Sequence, residues 1–295
     1  MPPVILDTVS TVVGAIPSPY GLFKALVGVL AITSTAPDLK KPAVATHGWE
    51  IKLGLDPNGA LKGGRPTHEL LHAFSLEADP ETRSYSYYDT AVQDLREAGW
   101  AIRMRHKEGR DLEATYKKRY TVGPEGLQAA LELARDEGFD KRATARYGAE
   151  VDWTYSKKTL SFTLKKKWSA KGHHGTSLPD DDTGRHLLLK YMPDELHDWG
   201  KKHWGDRIMA TTRQHGPVTS NVWKGKWAGT VVKLEVLPIK NAEGTGHETI
   251  VELSFGADSE AKATSLRDKA LSQMKAAGWL LTHDVLKTRL VLERY

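Results

Sequence analysis

The chain has 295 residues, of which 40% are hydrophobic and 27% are charged, and this ordinary globular composition excludes collagen-like, coiled-coil and wholly disordered proteins. The 42 Lys and Arg residues exceed the 37 Asp and Glu residues by five, which is too little for a general nucleic-acid-binding surface but compatible with a local anion site. The lack of cysteine excludes disulfides, thiolate metal sites and cysteine nucleophiles.

The N-terminal segment, residues 1–46, differs from the rest because it contains few charges and an apolar run over residues 22–32. That run is shorter than the about 20 apolar residues that span a membrane, so we expect no transmembrane segment. We expect a helix over residues 20–33 that packs on the body of the protein, and a cytoplasmic location. The alternative is a signal peptide cleaved near residues 34–36, which would imply export, although its usual basic start is missing. A single domain is expected over residues 47–295.

From residue 46 onward, alternating segments bounded by turn residues predict many strands with a few helices between them. The predicted strands cover residues 46–55, 83–90, 100–107, 112–120, 141–155, 159–167, 206–214, 218–223, 227–238, 248–255 and 285–293. The predicted helices cover residues 67–76, 91–98, 126–137, 193–199 and 258–277, with Thr67 and Asp258 as N-caps. This succession is typical of an α+β fold in which an antiparallel β-barrel carries helices on its outside.

Alternation along each predicted strand places charged side chains on one face. The sets that share a face are Glu50 with Lys52, Arg103 with Arg105, Glu113 with Thr115 and Lys117, Lys165 with Lys167, and Lys233 with Glu235. On a half-exposed sheet such charges would simply face water. However, residues 101–120 contain seven Lys or Arg against three acids, and residues 156–171 contain six Lys and no acid. This concentration favours a barrel whose lumen binds several phosphates through Arg and Lys.

The same parity argument separates the tryptophans. Trp49 and Trp100 lie off the charged face, so we expect them to pack the barrel wall against helices. Trp227 shares the parity of Lys233 on the strand predicted over residues 227–238. We therefore expect Trp227 to face the lumen, where it could stack on an organic part of the substrate.

Four motifs follow one another within residues 46–120. They are Trp49-Glu50-Ile51-Lys52, Tyr87-Tyr88-Asp89-Thr90, Gly99-Trp100-Ala101-Ile102-Arg103-Met104-Arg105 preceded by Leu95, and Thr115-Tyr116-Lys117. In order and spacing they resemble the Glu-x-Glu-x-Lys, Tyr-x-Asp-Thr, Gly-x-Ala-Leu-Arg-x-Arg and Thr-x-Lys strands of the CYTH domain. This is the triphosphate tunnel family, which includes thiamine triphosphatases and class IV adenylyl cyclases.

The resemblance implies an eight-stranded antiparallel tunnel that binds triphosphate on a basic wall and a divalent metal, Mg²⁺ or Mn²⁺, on an acidic wall. By matching position, it assigns phosphate binding, and with it the catalytic role, to Lys52, Arg103, Arg105 and Lys117. It assigns metal binding to Glu50, and the charge-bearing strands later in the chain add Glu235 and Glu252. Further substrate-binding residues are expected to be Lys165, Lys233, Arg207 and Trp227.

Two departures from the family's motifs bear on the activity. Gly48 stands where the first Glu of Glu-x-Glu-x-Lys is expected, and the C-terminal acidic strand has the single acid Glu252. Because phosphoryl transfer depends mainly on positioning and charge neutralisation, loss of metal ligands lowers turnover before it abolishes binding. The leading hypothesis is a metal-dependent phosphohydrolase acting on inorganic triphosphate or an organic tri- or diphosphate. The alternative is a tunnel that binds a diphosphate-bearing ligand without hydrolysis, or uses the diphosphate as a leaving group. Either hypothesis implies a phosphate-bearing small molecule as the partner, and no nucleic acid.

A competing metal motif occurs at His68-Glu69-Leu70-Leu71-His72. Two histidines one helical turn apart, with a glutamate between them as general base, are typical of zinc proteases. The extended form of that motif needs a third histidine, but Ser75 and Ala78 occupy the positions of its glycine and histidine. A zinc protease is therefore the distant alternative.

Overall fold

A computed structural model describes residues 48–295, which contain eleven strands. They are β1 (Trp49–Leu55), β2 (Leu61–Lys62), β3 (Arg65–Pro66), β4 (Glu81–Asp89), β5 (Trp100–Lys107), β6 (Leu112–Thr121), β7 (Gly148–Trp153), β8 (Lys158–Trp168), β9 (Arg213–Trp227), β10 (Thr230–Lys240) and β11 (His247–Ala257). The short strands β2 and β3 pair with each other, and the other nine close into a barrel in the order β1-β11-β10-β9-β4-β5-β6-β8-β7.

The predicted α+β barrel is confirmed, with one strand more than the eight that were expected. Neighbouring strands run antiparallel except at the closure, where residues 49–51 of β1 pair in parallel with residues 151–153 of β7. The six-residue strand β7 thus fills the gap between β8 and β1.

Ten helices accompany the strands within residues 48–295. They are α1 (Pro57–Ala60), α2 (His68–Ala73), α3 (Asp94–Glu97), α4 (Gly126–Asp136), α5 (Lys141–Thr144), α6 (Asp181–Lys190), α7 (Asp194–His197), α8 (Trp204–Ala210), α9 (Glu260–Ala276) and α10 (Lys287–Arg294). Thr67 caps α2 as predicted, since its hydroxyl oxygen accepts from the Leu70 amide at 3.3 Å. Helix α9 is capped by Ser259 and not by Asp258.

The strand predicted over residues 141–155 is wrong at its start, where the chain forms α5 before β7 begins at Gly148. Two further predicted strands are wrong because their burial follows helical spacing. Over residues 206–214 the chain forms most of α8 before β9 begins, and Gly205 and Met209 are buried four residues apart. Over residues 285–293 it forms α10, in which the adjacent residues Val291 and Leu292 are both buried. A strand with one buried face cannot bury two adjacent side chains on that face.

Apolar cores lie outside the barrel, between its wall and the helices. One core packs helices α4, α6, α7 and α8 on β5, β6 and β8, and it contains Trp100, Phe139 and Phe162. The other packs α2 and α9 on β1, β9, β10 and β11, and it contains Trp49 and Met274. The predicted wall packing of Trp49 and Trp100 is confirmed. The inner face of the barrel is consequently left for polar and charged side chains.

A smaller apolar cluster lies at one end of the barrel. There α10 places Val291 and Leu292 against inner-face and rim residues that include Tyr87, Val218 and Leu237. Helix α10 therefore covers this end of the tunnel.

No helix within residues 48–295 is long and apolar enough to cross a bilayer. The helix predicted over residues 20–33, the signal-peptide alternative and the boundary near residue 46 lie outside the described residues. The domain division and the cytoplasmic location stay predictions.

Candidate functional site

Strand register aligns polar side chains of neighbouring strands on the inner face of the barrel. One row across β4, β5, β6 and β8 is Tyr87, Arg103, Thr115 and Lys165. A second row across β1, β11, β10 and β9 is Lys52, Ser254, Lys233 and Lys224. Ion pairs that pass over an intervening strand, such as Lys117 to Asp152 across β8, confirm that these side chains share one face.

Most of the predicted site residues lie on this inner face. They are Glu50, Lys52, Arg103, Arg105, Lys117, Lys165, Lys233, Glu235 and Glu252. The other two, Arg207 and Trp227, do not lie on this face. Arg207 is exposed on α8, outside the barrel, where its guanidinium donates to the Lys202 carbonyl at 3.1 Å.

Trp227 packs in the outer core, contrary to its predicted orientation. Its ring centroid lies 5.4 Å from that of Phe74, and its indole N–H donates to the Gln273 amide oxygen at 3.1 Å. Trp227 ends β9, and a turn with positive φ at Ala228 and Gly229 precedes β10. Because residue parity does not carry across a turn, Trp227 and Lys233 point to opposite faces.

One group of charges, the Asp152 cluster, consists of Glu50, Lys52, Lys117, Glu150 and Asp152. The Lys52 ammonium donates to Asp152 at 2.6 Å and lies 3.0 Å from Glu50. The Lys117 ammonium donates to Asp152 at 2.7 Å and to Glu150 at 3.1 Å. Three carboxylates thus share two ammonium groups, so the cluster carries excess negative charge.

The electrostatics of the Asp152 cluster favour the charged forms of Asp152, Glu50 and Lys52. Burial alone would raise the pKa of Asp152, but Lys52 and Lys117 together hold it well below its usual range. Burial would likewise raise the pKa of Glu50, which Lys52 lowers instead. Burial would lower the pKa of Lys52, which Asp152 and Glu50 raise well above its ordinary value. Asp152, Glu50 and Lys52 are therefore held in their charged forms at neutral pH.

A second group, the Glu235 cluster, consists of Arg83, Ser220, Glu235, Glu252 and Lys287. Arg83 lies 2.9 Å from Glu235, and the Ser220 hydroxyl donates to the same carboxylate at 2.7 Å. Lys287, from α10, donates to both Glu235 and Glu252, the latter at 2.8 Å. Burial would raise the pKa of Glu235, but Lys287 and Arg83 hold it well below its usual range. Two carboxylates here meet two cations contributed by the chain.

The basic wall of the tunnel consists of Arg103 and Arg105 on β5. Arg105 pairs with Glu113 at 2.5 Å, and burial, together with the neighbouring Arg103, lowers its pKa to about 10. Arg103 makes one long contact of 3.4 Å to the Thr115 hydroxyl, and its guanidinium carbon lies 5.8 Å from the Tyr85 ring centroid. The Nε atoms of both arginines are buried and have no hydrogen-bond partner within residues 48–295.

The tunnel opens at the end opposite α10. A cavity of about 740 Å³ lies there, a size typical of small-molecule sites. Its lining includes Glu50, Glu150, Thr163, Lys165 and Lys233. A separate cavity of about 350 Å³ lies beside α10. Lys52, Arg103, Arg105 and Lys117 are in the lining of neither cavity, and only the larger one is lined by Lys165 and Lys233.

The predicted metal ligands are divided between the two clusters. Glu50 lies with Glu150 and Asp152, and one carboxylate oxygen from each falls within 4.8 Å of the others. Such an oxygen set suits Mg²⁺ or Mn²⁺, which need only one or two carboxylates besides phosphate oxygens. Glu235 and Glu252 do not fit a cation in the same way, because the Lys287 ammonium lies between them.

Helix α2 places His68, Glu69 and His72 on the outside of the barrel, and all three side chains are exposed. Groups of three potential ligands within residues 48–295 include neither histidine. The zinc-protease motif thus lacks a third ligand in this part of the chain.

Sequence reasoning missed several inner-face residues. Arg119 shares the parity of Lys117 on β6 and could have been found from that strand alone. Asp152 and Arg83 meet their partners across intervening strands, which local patterns do not reveal. Lys287 was hidden because its segment was predicted to be a strand.

Comparisons with known proteins agree at the level of the fold. No family model and no curated protein matches the amino-acid sequence. Among solved structures, a candidate adenylyl cyclase from Hippeastrum, described as having a dominant triphosphatase activity, is 15% identical with a TM-score of 0.50, covering 84% of this chain and 100% of that one. A candidate adenylate cyclase from Bacillus halodurans is 13% identical with a TM-score of 0.47, covering 82% of this chain and 93% of that one.

A protein from Pyrococcus horikoshii is also similar, at 14% identity and a TM-score of 0.44, covering 84% of this chain and 100% of that one. The Hippeastrum likeness covers 84% of this chain and concerns the fold alone. The chain therefore has a divergent form of the CYTH-type tunnel fold.

Proposed function

We propose that the tunnel binds inorganic triphosphate or an organic tri- or diphosphate together with Mg²⁺ or Mn²⁺, and hydrolyses a phosphoanhydride bond. The observation that carries this proposal is the pair Arg103 and Arg105, whose buried Nε donors lack partners within residues 48–295. An unmet buried donor is costly, so these groups are expected to meet acceptor atoms of a ligand. The guanidinium fork matches the oxygens of a phosphate group.

The charges around this pair favour a polyanion that enters from the open end. Lys165 and Lys233 are exposed in the lining of the open cavity, where they would act as point charges on entering phosphates. Lys165 lies in the same row as Arg103, one strand removed. A triphosphate extended along this row would meet lysine at the mouth and arginine further in.

The Asp152 cluster is the metal site that we propose. Glu50, Glu150 and Asp152 would supply the carboxylate oxygens. A bound Mg²⁺ or Mn²⁺ would neutralise charge on phosphate oxygens and align the reacting groups. Lys52 and Lys117, which otherwise neutralise Asp152, would then be released to donate to phosphate oxygens. The four predicted catalytic residues, Lys52, Arg103, Arg105 and Lys117, keep their proposed role as phosphate ligands.

Binding without hydrolysis is the second candidate function, and one observation favours it. Lys287 occupies the space between Glu235 and Glu252, so only one of the two acidic groups remains for a metal. A tunnel with a single metal site would bind phosphates well but align an attacking water poorly. The diphosphate could then be held, or serve as a leaving group.

Two measurements test both candidates. The first is calorimetric titration with tripolyphosphate and pyrophosphate, with and without Mg²⁺ or Mn²⁺, and the second is a phosphate-release assay under the same conditions. Arg103→Ala should weaken tripolyphosphate binding by about tenfold to hundredfold, since hydrogen bonds to charged groups contribute about 1.5–3 kcal/mol. Arg207→Ala is the matched control and should bind normally, because Arg207 lies outside the tunnel.

The outcomes separate the candidates. Phosphate release that needs Mg²⁺ or Mn²⁺ supports hydrolysis. Tight binding without release selects the second function. Normal binding by Arg103→Ala would contradict the tunnel as the anion site.

A further inference from the structure

A group of histidine and aspartate side chains lies on the outside of the barrel, in the segment between β8 and β9. His197 ends α7, and His203 and Asp206 begin α8. His197 Nε2 lies 2.8 Å from Asp206 Oδ2 and 3.2 Å from His203 Nδ1, and His203 Nδ1 lies 3.0 Å from the same Asp206 oxygen. Three potential ligand atoms thus form a nearly equilateral triangle.

With both imidazole rings neutral, hydrogen bonding leaves these three atoms poorly satisfied by one another. Asp198 Oδ1 accepts from the His203 amide at 2.7 Å and lies 2.8 Å from His197 Nδ1. If His197 donates its Nδ1 proton to Asp198, its Nε2 in the neutral ring is an acceptor that faces the Asp206 carboxylate. A proton on His203 Nδ1 can serve one of these contacts but still leaves two acceptors 2.8 Å apart. A cation bonded to all three atoms would satisfy them together.

The backbone holds the three side chains in this arrangement. Helices α7 and α8 approach so closely at Gly205 that a Cβ there would lie 2.3 Å from the Leu196 carbonyl oxygen. Only glycine permits this contact, which brings Asp206 next to His197. Asp198 orients the His197 ring from the opposite side, as carboxylates commonly do when they accept the free N–H of a metal-bound histidine.

We propose that His197, His203 and Asp206 form a binding site for a divalent transition-metal ion such as Zn²⁺. Two imidazoles and a carboxylate are ligands that zinc prefers, and tetrahedral bonds of about 2.0–2.1 Å place neighbouring ligand atoms about 3.3 Å apart. The observed separations of 2.8, 3.0 and 3.2 Å are up to about half an ångström shorter than that value. All three side chains are partly exposed, so water can complete the coordination shell. The site is separate from the tunnel and does not depend on its proposed function.

A metal at this position would tie α7 to α8 across the turn that contains Trp199. The Trp199 ring lies 5.8 Å from the Trp100 ring and 3.9 Å from the Lys118 ammonium, on the outer face of β5 and β6. The ion would therefore stabilise the packing of α7 and α8 on the part of the barrel wall whose inner face carries Arg103.

Calorimetric titration of the full chain with Zn²⁺, after removal of any tag and treatment with EDTA, tests the proposal. The absorption spectrum of bound Co²⁺ reports whether the site is four-coordinate. Zn²⁺ should bind once at this site and raise the melting temperature. His203→Asn and Asp206→Asn should lose more than tenfold in Zn²⁺ affinity, and Asp198→Asn about tenfold. Asn is chosen at position 203 because it tolerates the positive φ of 58° found there.

The double variant His68→Ala/His72→Ala is the matched control, since those histidines form another two-histidine pair, on α2. It should keep the affinity, the Co²⁺ spectrum and the shift in melting temperature. Circular dichroism spectra that match wild type show that each variant folds. The proposal is overturned if Zn²⁺ does not bind, or if folded His203→Asn and Asp206→Asn bind it as wild type does.

Discussion

The Asp152 and Glu235 clusters both pair inner-face carboxylates with basic side chains, yet they differ in charge and in access. The Asp152 cluster sets three carboxylates against two lysines, and Glu50 and Glu150 line the open cavity. The Glu235 cluster sets two carboxylates against Arg83 and Lys287 beneath α10. The first can accept a further cation, whereas the second already contains the cation that it needs. The position of α10 thus decides which acidic group remains available to a ligand.

The largest expected effect comes from Lys287→Met, which removes the internal cation. Glu235 and Glu252 would then face each other with Arg83 as the one remaining cation of the cluster, and breaking a buried ion pair from one side costs about 3–5 kcal/mol. We expect the free energy of unfolding, measured in urea, to fall by about 3 kcal/mol. Lys52→Met should cost less, because Lys117 remains on Asp152 and the neighbouring glutamates reach water. Equal losses in the two variants would remove the distinction between the clusters.

Local patterns predicted the basic wall well but the acidic groups poorly. Arg103 and Arg105 lie on one continuous strand, so parity alone placed them together. Glu235 and Glu252 were also placed on the correct face, but their partner Lys287 comes from a helix that the sequence suggests as a strand. The contacts of Asp152 depend on which strands become neighbours, a long-range property that periodicity does not encode. The orientation predicted for Trp227 was wrong because the turn at Ala228 and Gly229 interrupts the alternation of side chains between β9 and β10.

Removing one carboxylate at a time from each cluster tests which of the two clusters binds the metal ion. Glu50→Gln takes one carboxylate from the open group and should lower Mn²⁺ affinity, measured by calorimetry or electron paramagnetic resonance, by at least about tenfold. Glu252→Gln serves as the control and should leave Mn²⁺ affinity unchanged, because Lys287 already holds that carboxylate. A loss of Mn²⁺ binding in Glu252→Gln alone would place the metal in the Glu235 cluster instead.

Glu81 lies outside both clusters and provides a reference carboxylate for the dependence of the free energy of unfolding on pH. Burial would raise its pKa, but hydrogen bonds from Lys107 and Lys224 lower it from 4.5 to about 2. Stability from a depressed pKa is present above the unfolded value and is lost as the pH falls through the folded value. The advantage of wild type over Glu81→Gln in urea denaturation should be on the order of 1 kcal/mol at pH 6, given solvent screening. It should shrink between pH 4.5 and 2, and a constant difference over that window would contradict the assignment.

The smallest expected effect tests the two faces of a single strand. Lys165 and Lys166 are adjacent and both exposed, but Lys165 lines the open cavity beside Thr163, whereas Lys166 pairs with Ala114, whose side chain is buried in the outer core. Lys165→Ala should weaken tripolyphosphate binding about threefold at low salt and less at high salt, since an exposed charge contributes below about 1 kcal/mol. Lys166→Ala removes the same charge one residue away and should leave the affinity unchanged. Equal weakening in both variants would mean that net charge attracts the ligand, and not the inner face at the open end of the tunnel.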